Sequence, residues 1–262
     1  MARLLVIGGG RMGEALIGGL VGSGWATAEE LAVVEVDPSR RDELSAAHPG
    51  LVVGDEAVPA DAALVAVKPG DVAAAAALAG RAGAGRVLSV AAGVTTAALE
   101  AALPPGTAVV RAMPNTPALV GVGASAIAAG TAAGPDDLDW ATAVLGAVGQ
   151  VVRVPEAQLD AVTGLSGSGP AYVFLLAEAL IDAGVLNGLP RPASRALAVQ
   201  TLRGAAALLA ETGEEPATLR AQVTSPGGTT AAGLRALEAA GVRAAVLDAV
   251  SAAAERSRQL GG

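Results

Sequence analysis

The chain has 262 residues, 52 % hydrophobic and 16 % charged, with aromatic residues at only 2 %; this is a globular composition, not a disordered one. A formal charge of −8 and a pI near 4.7 disfavour nucleic acid as a partner, because neutralising phosphates takes clustered Lys and Arg. With no cysteine and a single histidine, disulfides, thiolate nucleophiles and a His or Cys metal centre are excluded, and no metal is expected.

The opening run to Ile7 is apolar but stops at Gly8, with Arg11 and Glu14 close behind, which is too short for a signal peptide. The longest uncharged stretch, residues 113–135, is broken by Pro114, Pro117 and several glycines and makes a poor membrane span. A soluble, cytoplasmic protein is expected. Up to about residue 154, short β-branched runs alternate with Ala-rich helical stretches, the pattern of repeated βαβ units over a parallel sheet. Strands are predicted at 4–7, 31–36, 63–67, 86–90, 108–111 and 151–154, and helices at 12–21, 39–47, 71–79, 96–102 and 136–148. His48, at the exit of the second helix, reads as a surface side chain.

After Pro155 the strand pattern ends. Helices are predicted from Pro170 to about 186, from Pro190 or Pro192 to 211, from Thr229 or Thr230 to 240, and from 242 to 258, with Pro in first turns and Gly at ends. The fold class is α/β, with a dinucleotide-binding domain over 1–154 and an all-helical domain over 155–262. In the second helix Leu197, Thr201, Leu202, Ala205, Leu208 and Leu209 recur at three- and four-residue spacing, an apolar face that points to pairing with a second chain.

Gly8-Gly9-Gly10-Arg11-Met12-Gly13 fits G-x-G-x-x-G between a strand and a helix, where glycines admit a pyrophosphate and the helix start meets its charge. Glu35 and Asp37 follow at the end of the second strand, where a ribose ligand belongs. Asp37 suits the ribose hydroxyls of NAD, whereas Arg40 and Arg41 suit the 2′-phosphate of NADP; NADPH is expected, with NADH possible. Lys68, the only lysine, closes the third predicted strand ahead of Pro69 at the ligand-binding edge of such a sheet. The loops Ser89-Val90-Ala91-Ala92-Gly93 and Met113-Pro114-Asn115-Thr116-Pro117 end the next two strands on the same edge. In the helical half, two clusters rich in Gly, Ser, Thr and Pro stand out: 160–171, holding Thr163 and Gly167-Ser168-Gly169-Pro170-Ala171, and 223–230. The second precedes a helix, so its free N–H groups and the Ser225 hydroxyl form a natural carboxylate pocket; read blandly, it is a capping turn.

Ala66-Val67-Lys68-Pro69, Ala91-Ala92-Gly93-Val94, Arg111-Ala112-Met113-Pro114-Asn115-Thr116-Pro117, Gly167 to Ala171 and Ser225 to Thr230 stand in the order in which they occur in pyrroline-5-carboxylate reductases, and the chain resembles that family over nearly its whole length. The resemblance implies a Rossmann domain followed by an all-α dimerisation domain, as a homodimer or a ring of dimers, that reduces the C=N bond of 1-pyrroline-5-carboxylate to L-proline. It implies cofactor contacts at Ile7, Gly8, Gly10, Arg11, Met12, Gly13, Asp37, Asp55, Ala66, Val67, Lys68, Pro69, Ala91, Ala92 and Asn115. It also implies substrate contacts at Ser225, Gly228, Thr229, Thr230, Glu156 and Thr163, with the Thr230 hydroxyl on the ring nitrogen and Lys68 and Glu156 shaping the charge. Two positions depart from the family: Glu215-Pro216 stands for His-Pro, and Asp55-Glu56 falls where an Asn is common, so that a carboxylate there opposes a 2′-phosphate. A reductase of another cyclic imine or of a deazaflavin is the nearest alternative. A 3-hydroxyacid dehydrogenase shares the plan but usually needs a lysine in the helical half, where this chain has none. A non-catalytic nucleotide-binding dimer would bind NAD(P)H without turning a substrate over.

Overall fold

Four consecutive apolar residues make β1 (Leu4–Ile7), and alternation along the strand sends them to two different cores. Leu4 and Val6 pack with Leu16, Ile17 and Leu20 of α1 (Arg11–Gly22), while Leu5 and Ile7 pack with Val72, Ala75, Ala76 and Ala79 of α3 (Val72–Arg81). A strand buried on both faces in this way belongs in a sheet covered by helices on each side. The computed structural model describes residues 1–261 and shows that sheet.

The eight strands run in the order β3-β2-β1-β4-β5-β6-β7-β8, with β2 Leu31–Val34, β3 Val52–Gly54, β4 Ala62–Val65, β5 Arg86–Ser89, β6 Ala108–Met113, β7 Gly123–Ala129 and β8 Gly149–Arg153. The order reverses between β1 and β4, and at such a switch point the two adjoining loops diverge and leave a crevice beyond the strand ends. Helices α2 (Pro38–Ala47), α4 (Thr96–Ala101) and α5 (Pro135–Gly146) complete the layers. His48 caps the end of α2 through its N–H to Leu44 O.

The expected all-parallel sheet is interrupted once: β7 pairs antiparallel with β6, Val110 opposite Ala129 and Met113 opposite Ala126, and parallel with β8. Its sequence, Gly-Ala-Ser-Ala-Ile-Ala-Ala, has little strand propensity and lies inside the uncharged stretch 113–135, where no strand was expected; its position is set by neighbours on both sides. Strand β3 and the short helix α9 (Pro216–Gln222) were likewise unanticipated, and β2 stops two residues short of expectation because Glu35 turns toward the glycine loop.

The chain forms two compact units, Met1–Ser168 with Ser251–Gly262, and Gly169–Val250. In the first, α6 (Leu159–Val162) and a π-helical turn (Thr163–Gly167) follow the sheet, and the end of α11 (Val242–Gly261) is tied to α6 by Ser257 Oγ donating to Asp160 Oδ1 at 2.6 Å. The second unit holds α7 (Gly169–Leu186), α8 (Arg191–Thr212), α9, α10 (Thr229–Ala239) and the start of α11. Helices α7 and α8 approach closely at Gly184, where Ser194 lies against the helix and donates to Ile181 O at 2.7 Å. Among the described residues of this unit Ala198 is the only buried apolar side chain, whereas Phe174 and Leu175 are 62 % and 67 % exposed. A helical unit with so little core of its own must complete it against another surface.

Candidate active site

The turn from β1 into α1 is built so that its backbone lies open. Gly8 has φ +102°, and a Cβ there would come 2.6 Å from Ala66 O and 2.9 Å from Val67 Cγ1. A Cβ on Gly13 would collide with Gly8 O, so α1 can seat itself this close under the turn only with glycine at that position. Gly10 faces open space and caps α1 with no side-chain bond, which leaves the first N–H groups of a 12-residue helix free for an anion. Ile7 is buried beneath the turn, Met12 is half-buried and Arg11 is exposed beside it. These features fit the pyrophosphate of a dinucleotide.

At the adenosine end the side chains bind one another. Glu35 Oε2 accepts from Gly9 N at 2.8 Å and Oε1 from Asp37 N at 3.0 Å. Asp37 caps α2, its Oδ1 accepting from Ser39 N and Ser39 Oγ at 2.9 Å each; these bonds, the hydroxyl first, hold its carboxyl below the usual range. The two arginines behind the NADPH expectation are both engaged. Arg40 donates to Gly9 O, Glu43 and Glu14, and those two carboxylates raise its pKa further. Arg41 Nη1 donates to the carbonyls of Glu35 and Val36 at 2.9 and 3.1 Å, and its Nη2 lies 3.8 Å from Asp55 Oδ2.

At the opposite end of the crevice, Ala66 and Val67 pack against the glycine turn, and Ala66 N donates to Ile7 O at 2.8 Å. Lys68 and Pro69 follow, exposed, at the start of a 3₁₀ turn. Ala91 is buried and Ala92 exposed at the end of β5, with Gly93 at φ +76°. Asn115 has both ends of its side chain engaged: Oδ1 accepts from Ala124 N at 2.8 Å, and Nδ2 donates to Ser166 O at 3.0 Å. It therefore ties the loop after β6 to the π-helical turn, which is closed by Ser168 N donating to Thr163 O. Thr163 donates its own hydroxyl to Leu159 O. A cavity of about 360 Å³ lies among these segments, bounded by Pro69, Ala92, Gly93, Thr163 and Ser168 and on its far side by Arg256, Ser257 and Leu260. The last helix carried no expected role. The Ser257–Asp160 bond that brings it here spans 97 residues, and no local spacing signals it.

Glu156 has its carboxylate filled. Oε1 accepts from Thr96 N at 2.7 Å and Arg111 Nη1 at 3.0 Å, and Oε2 accepts from Thr96 Oγ1 at 2.6 Å. Burial opposes its ionisation, but the bonds from Thr96 and Arg111 outweigh it and hold the carboxyl below the usual glutamate range. In the second unit, Ser225 to Thr230 form a turn in which Gly228 N donates to Ser225 O at 3.1 Å and the Ser225 hydroxyl lies over Gly228. Gly228 caps α10 without a side-chain bond, so the N–H groups of Thr229 and Thr230 begin the helix unpaired, as first-turn amides do. Of the three amides expected to face a carboxylate, two are open and one serves the turn.

Comparison with known proteins agrees with this layout. A family model described as pyrroline-5-carboxylate reductase dimerisation matches residues 156–260, and one described as NADP oxidoreductase, coenzyme F420-dependent, matches residues 3–93. The chain is similar to the pyrroline-5-carboxylate reductase of Mycobacterium tuberculosis strain H37Rv, 48 % identical over 99 % of this chain and 97 % of the relative. Among solved structures it is similar to a pyrroline-5-carboxylate reductase from Coxiella burnetii, with a TM-score of 0.93 and 33 % identity over 100 % of this chain and 99 % of that one. It is also similar to a Plasmodium falciparum pyrroline carboxylate reductase solved with NADP bound, with a TM-score of 0.86 and 30 % identity over 100 % and 98 %.

Proposed function

The chain belongs to the pyrroline-5-carboxylate reductase family, and from that premise we propose how its own residues serve the reaction. It is an NAD(P)H-dependent oxidoreductase that converts 1-pyrroline-5-carboxylate to L-proline. The observation that carries this reading is the match over the full length of the chain, with the glycine cradle where the nucleotide requires it. NAD(P)H, when bound, supplies the hydride that adds to the imine carbon. The protonated ring brings its own proton, so the protein needs to orient and stabilise rather than to provide a strong acid.

Gly8, Gly10, Arg11, Met12 and Gly13 receive the pyrophosphate on the open N–H groups of α1, with Ile7 packed beneath them. Ala66, Val67, Lys68, Pro69, Ala91 and Ala92 line the nicotinamide end, where the Lys68 ammonium adds positive charge beside an anionic substrate. Asn115 acts at one remove, by holding the π-helical turn that carries Thr163. Glu156 likewise shapes the charge of the site through Arg111 instead of touching substrate. The substrate carboxylate is held by Ser225 and the amides of Thr229 and Thr230, with Gly228 keeping the turn tight, and the Thr230 hydroxyl bonds the ring nitrogen. The functional division falls at 154/155: the sheet ends at Arg153 and the dimerisation match begins at 156.

The partner that covers the exposed faces of α7 and α8 is a second copy of the chain, as a homodimer or a ring of dimers. The helical run Glu156–Leu186 is long and apolar enough to cross a membrane by length and composition alone; it lies within the dimerisation match, which favours a protein partner and a cytoplasmic location. The test is oxidation of NADH and NADPH with 1-pyrroline-5-carboxylate, with 1-piperideine-2-carboxylate and a hydroxyacid run in reverse as controls. Turnover is expected with the pyrroline, and its absence refutes the reading. Thr230→Ala should lower kcat/KM about tenfold or more, one hydrogen bond to a charged group being worth roughly 1.5–3 kcal/mol, with cofactor affinity unchanged.

A further inference from the structure

The residues beyond β2 bear on which nucleotide the crevice takes. A dinucleotide whose pyrophosphate rests on the turn at Gly8 to Gly10 lays its adenine ribose past the end of the second strand, which here is Glu35-Val36-Asp37. A 2′-phosphate in that place needs cationic side chains or unpaired amides, whereas a 2′-hydroxyl needs an acceptor.

The amides are not available. Pro38 has no N–H, and that of Ser39 is already bonded to Asp37 Oδ1, so the carboxylate of the chain itself occupies the anion seat at the start of α2. The Arg40 amide also donates to this carboxylate; two carboxylate oxygens carry about four lone pairs, so Asp37 keeps acceptor capacity beside the ribose. Neither arginine is free to meet a phosphate. Arg40 is bound on all three nitrogens, to Gly9 O, Glu43 and Glu14. Arg41 is fastened to the carbonyls of Glu35 and Val36 and faces Asp55. The charged groups at this end of the crevice are thus the carboxylates of Glu14, Glu35, Asp37, Glu43 and Asp55 against the two guanidinium groups of Arg40 and Arg41.

Resting on the reductase reading above, we infer that the adenosine subsite selects a free ribose 2′-hydroxyl and that NADH is the preferred reductant. Asp37 is the specificity-determining acceptor, and Glu35 is a positioning residue that joins the glycine turn to the start of α2. A 2′-phosphate would bring close to two negative charges against these carboxylates, with no cation released to receive them.

The test uses the full-length protein and two readouts. Steady-state kcat/KM with 1-pyrroline-5-carboxylate should favour NADH over NADPH by about tenfold or more, equivalent to about 1.4 kcal/mol. Titration calorimetry without substrate should show AMP binding more tightly than adenosine 2′,5′-bisphosphate. Asp37→Ser, which removes the charge but keeps a good helix cap, should narrow both ratios toward one. Equal or better use of NADPH, tighter binding of the bisphosphate, or ratios unmoved in Asp37→Ser would overturn the inference. If neither nucleotide is oxidised, the reductase reading fails, while the calorimetric comparison still decides the adenosine subsite.

Discussion

Replacing Glu156 by Ala should destabilise the first unit by about 3 kcal/mol, a larger effect than the change in substrate affinity that follows from the altered charge at Arg111. The carboxylate collects three donors, Thr96 N, Thr96 Oγ1 and Arg111 Nη1, and so joins the start of α4, strand β6 and the segment after β8. The Arg111 side chain is only 9 % exposed, so the Ala variant strands a nearly buried guanidinium. For buried pairs that loss is about 3–5 kcal/mol, and the 30 % exposure of Glu156 places it at the low end. The Thr96 bonds belong to the same network and do not add in full. At roughly 2–4 °C per kcal/mol for a domain of this size, the melting temperature should fall by about 6–12 °C.

Glu156→Gln should lie between, because its amide keeps one acceptor but turns an N–H toward donors. The pH dependence has a definite sign: a carboxyl held below its unfolded value stabilises at neutral pH and loses that contribution as pH falls through the folded value. The melting temperature of the wild type should therefore drop more than that of Glu156→Gln between about pH 5 and pH 3. Thermal denaturation followed by circular dichroism, with Michaelis constants for the pyrroline in parallel, decides the matter. An Ala variant that melts within about a degree of wild type would refute the structural role, and a raised KM in that same variant would show that the carboxylate serves substrate and not the fold.

Gly13→Ala should weaken nucleotide binding about tenfold or more, because the new Cβ meets a backbone oxygen of the turn and the 1–3 kcal/mol typical of overpacking falls on the cofactor cradle; fluorescence titration with NADH checks it. Asn115→Ala removes the bonds to Ala124 and Ser166 at a cost of about 1–2 kcal/mol. Hydrogen exchange should then quicken at residues 163–168, and unchanged protection would refute the tie. Leu175→Arg, on the exposed face of α7, should reduce the mass measured by light scattering to that of one chain, whereas an unchanged mass would place the interface elsewhere.

Much of this protein was legible in its sequence because the features concerned are local. Gly8, Gly10 and Gly13 announce a turn whose backbone must stay bare, Leu4 to Ile7 announce a strand buried on both faces, and the prolines and glycines of the second half mark helix ends close to where they fall. Motif order was enough to point to the family, since each motif is contiguous. What the sequence left open rests on partners far apart in the chain. Strand β7 has weak propensity and exists because β6 and β8 flank it with matching registers. Glu156 reads as a substrate contact until Thr96 and Arg111, 60 and 45 residues away, are folded around it. The last helix reaches the cavity edge only through Ser257 and Asp160. Arg40 and Arg41 look like phosphate ligands in one dimension, and folding gives both of them to acidic side chains and carbonyls. Periodicity and backbone chemistry act over a few residues and survive in the sequence, whereas a charge acquires its role only when tertiary structure decides what stands next to it.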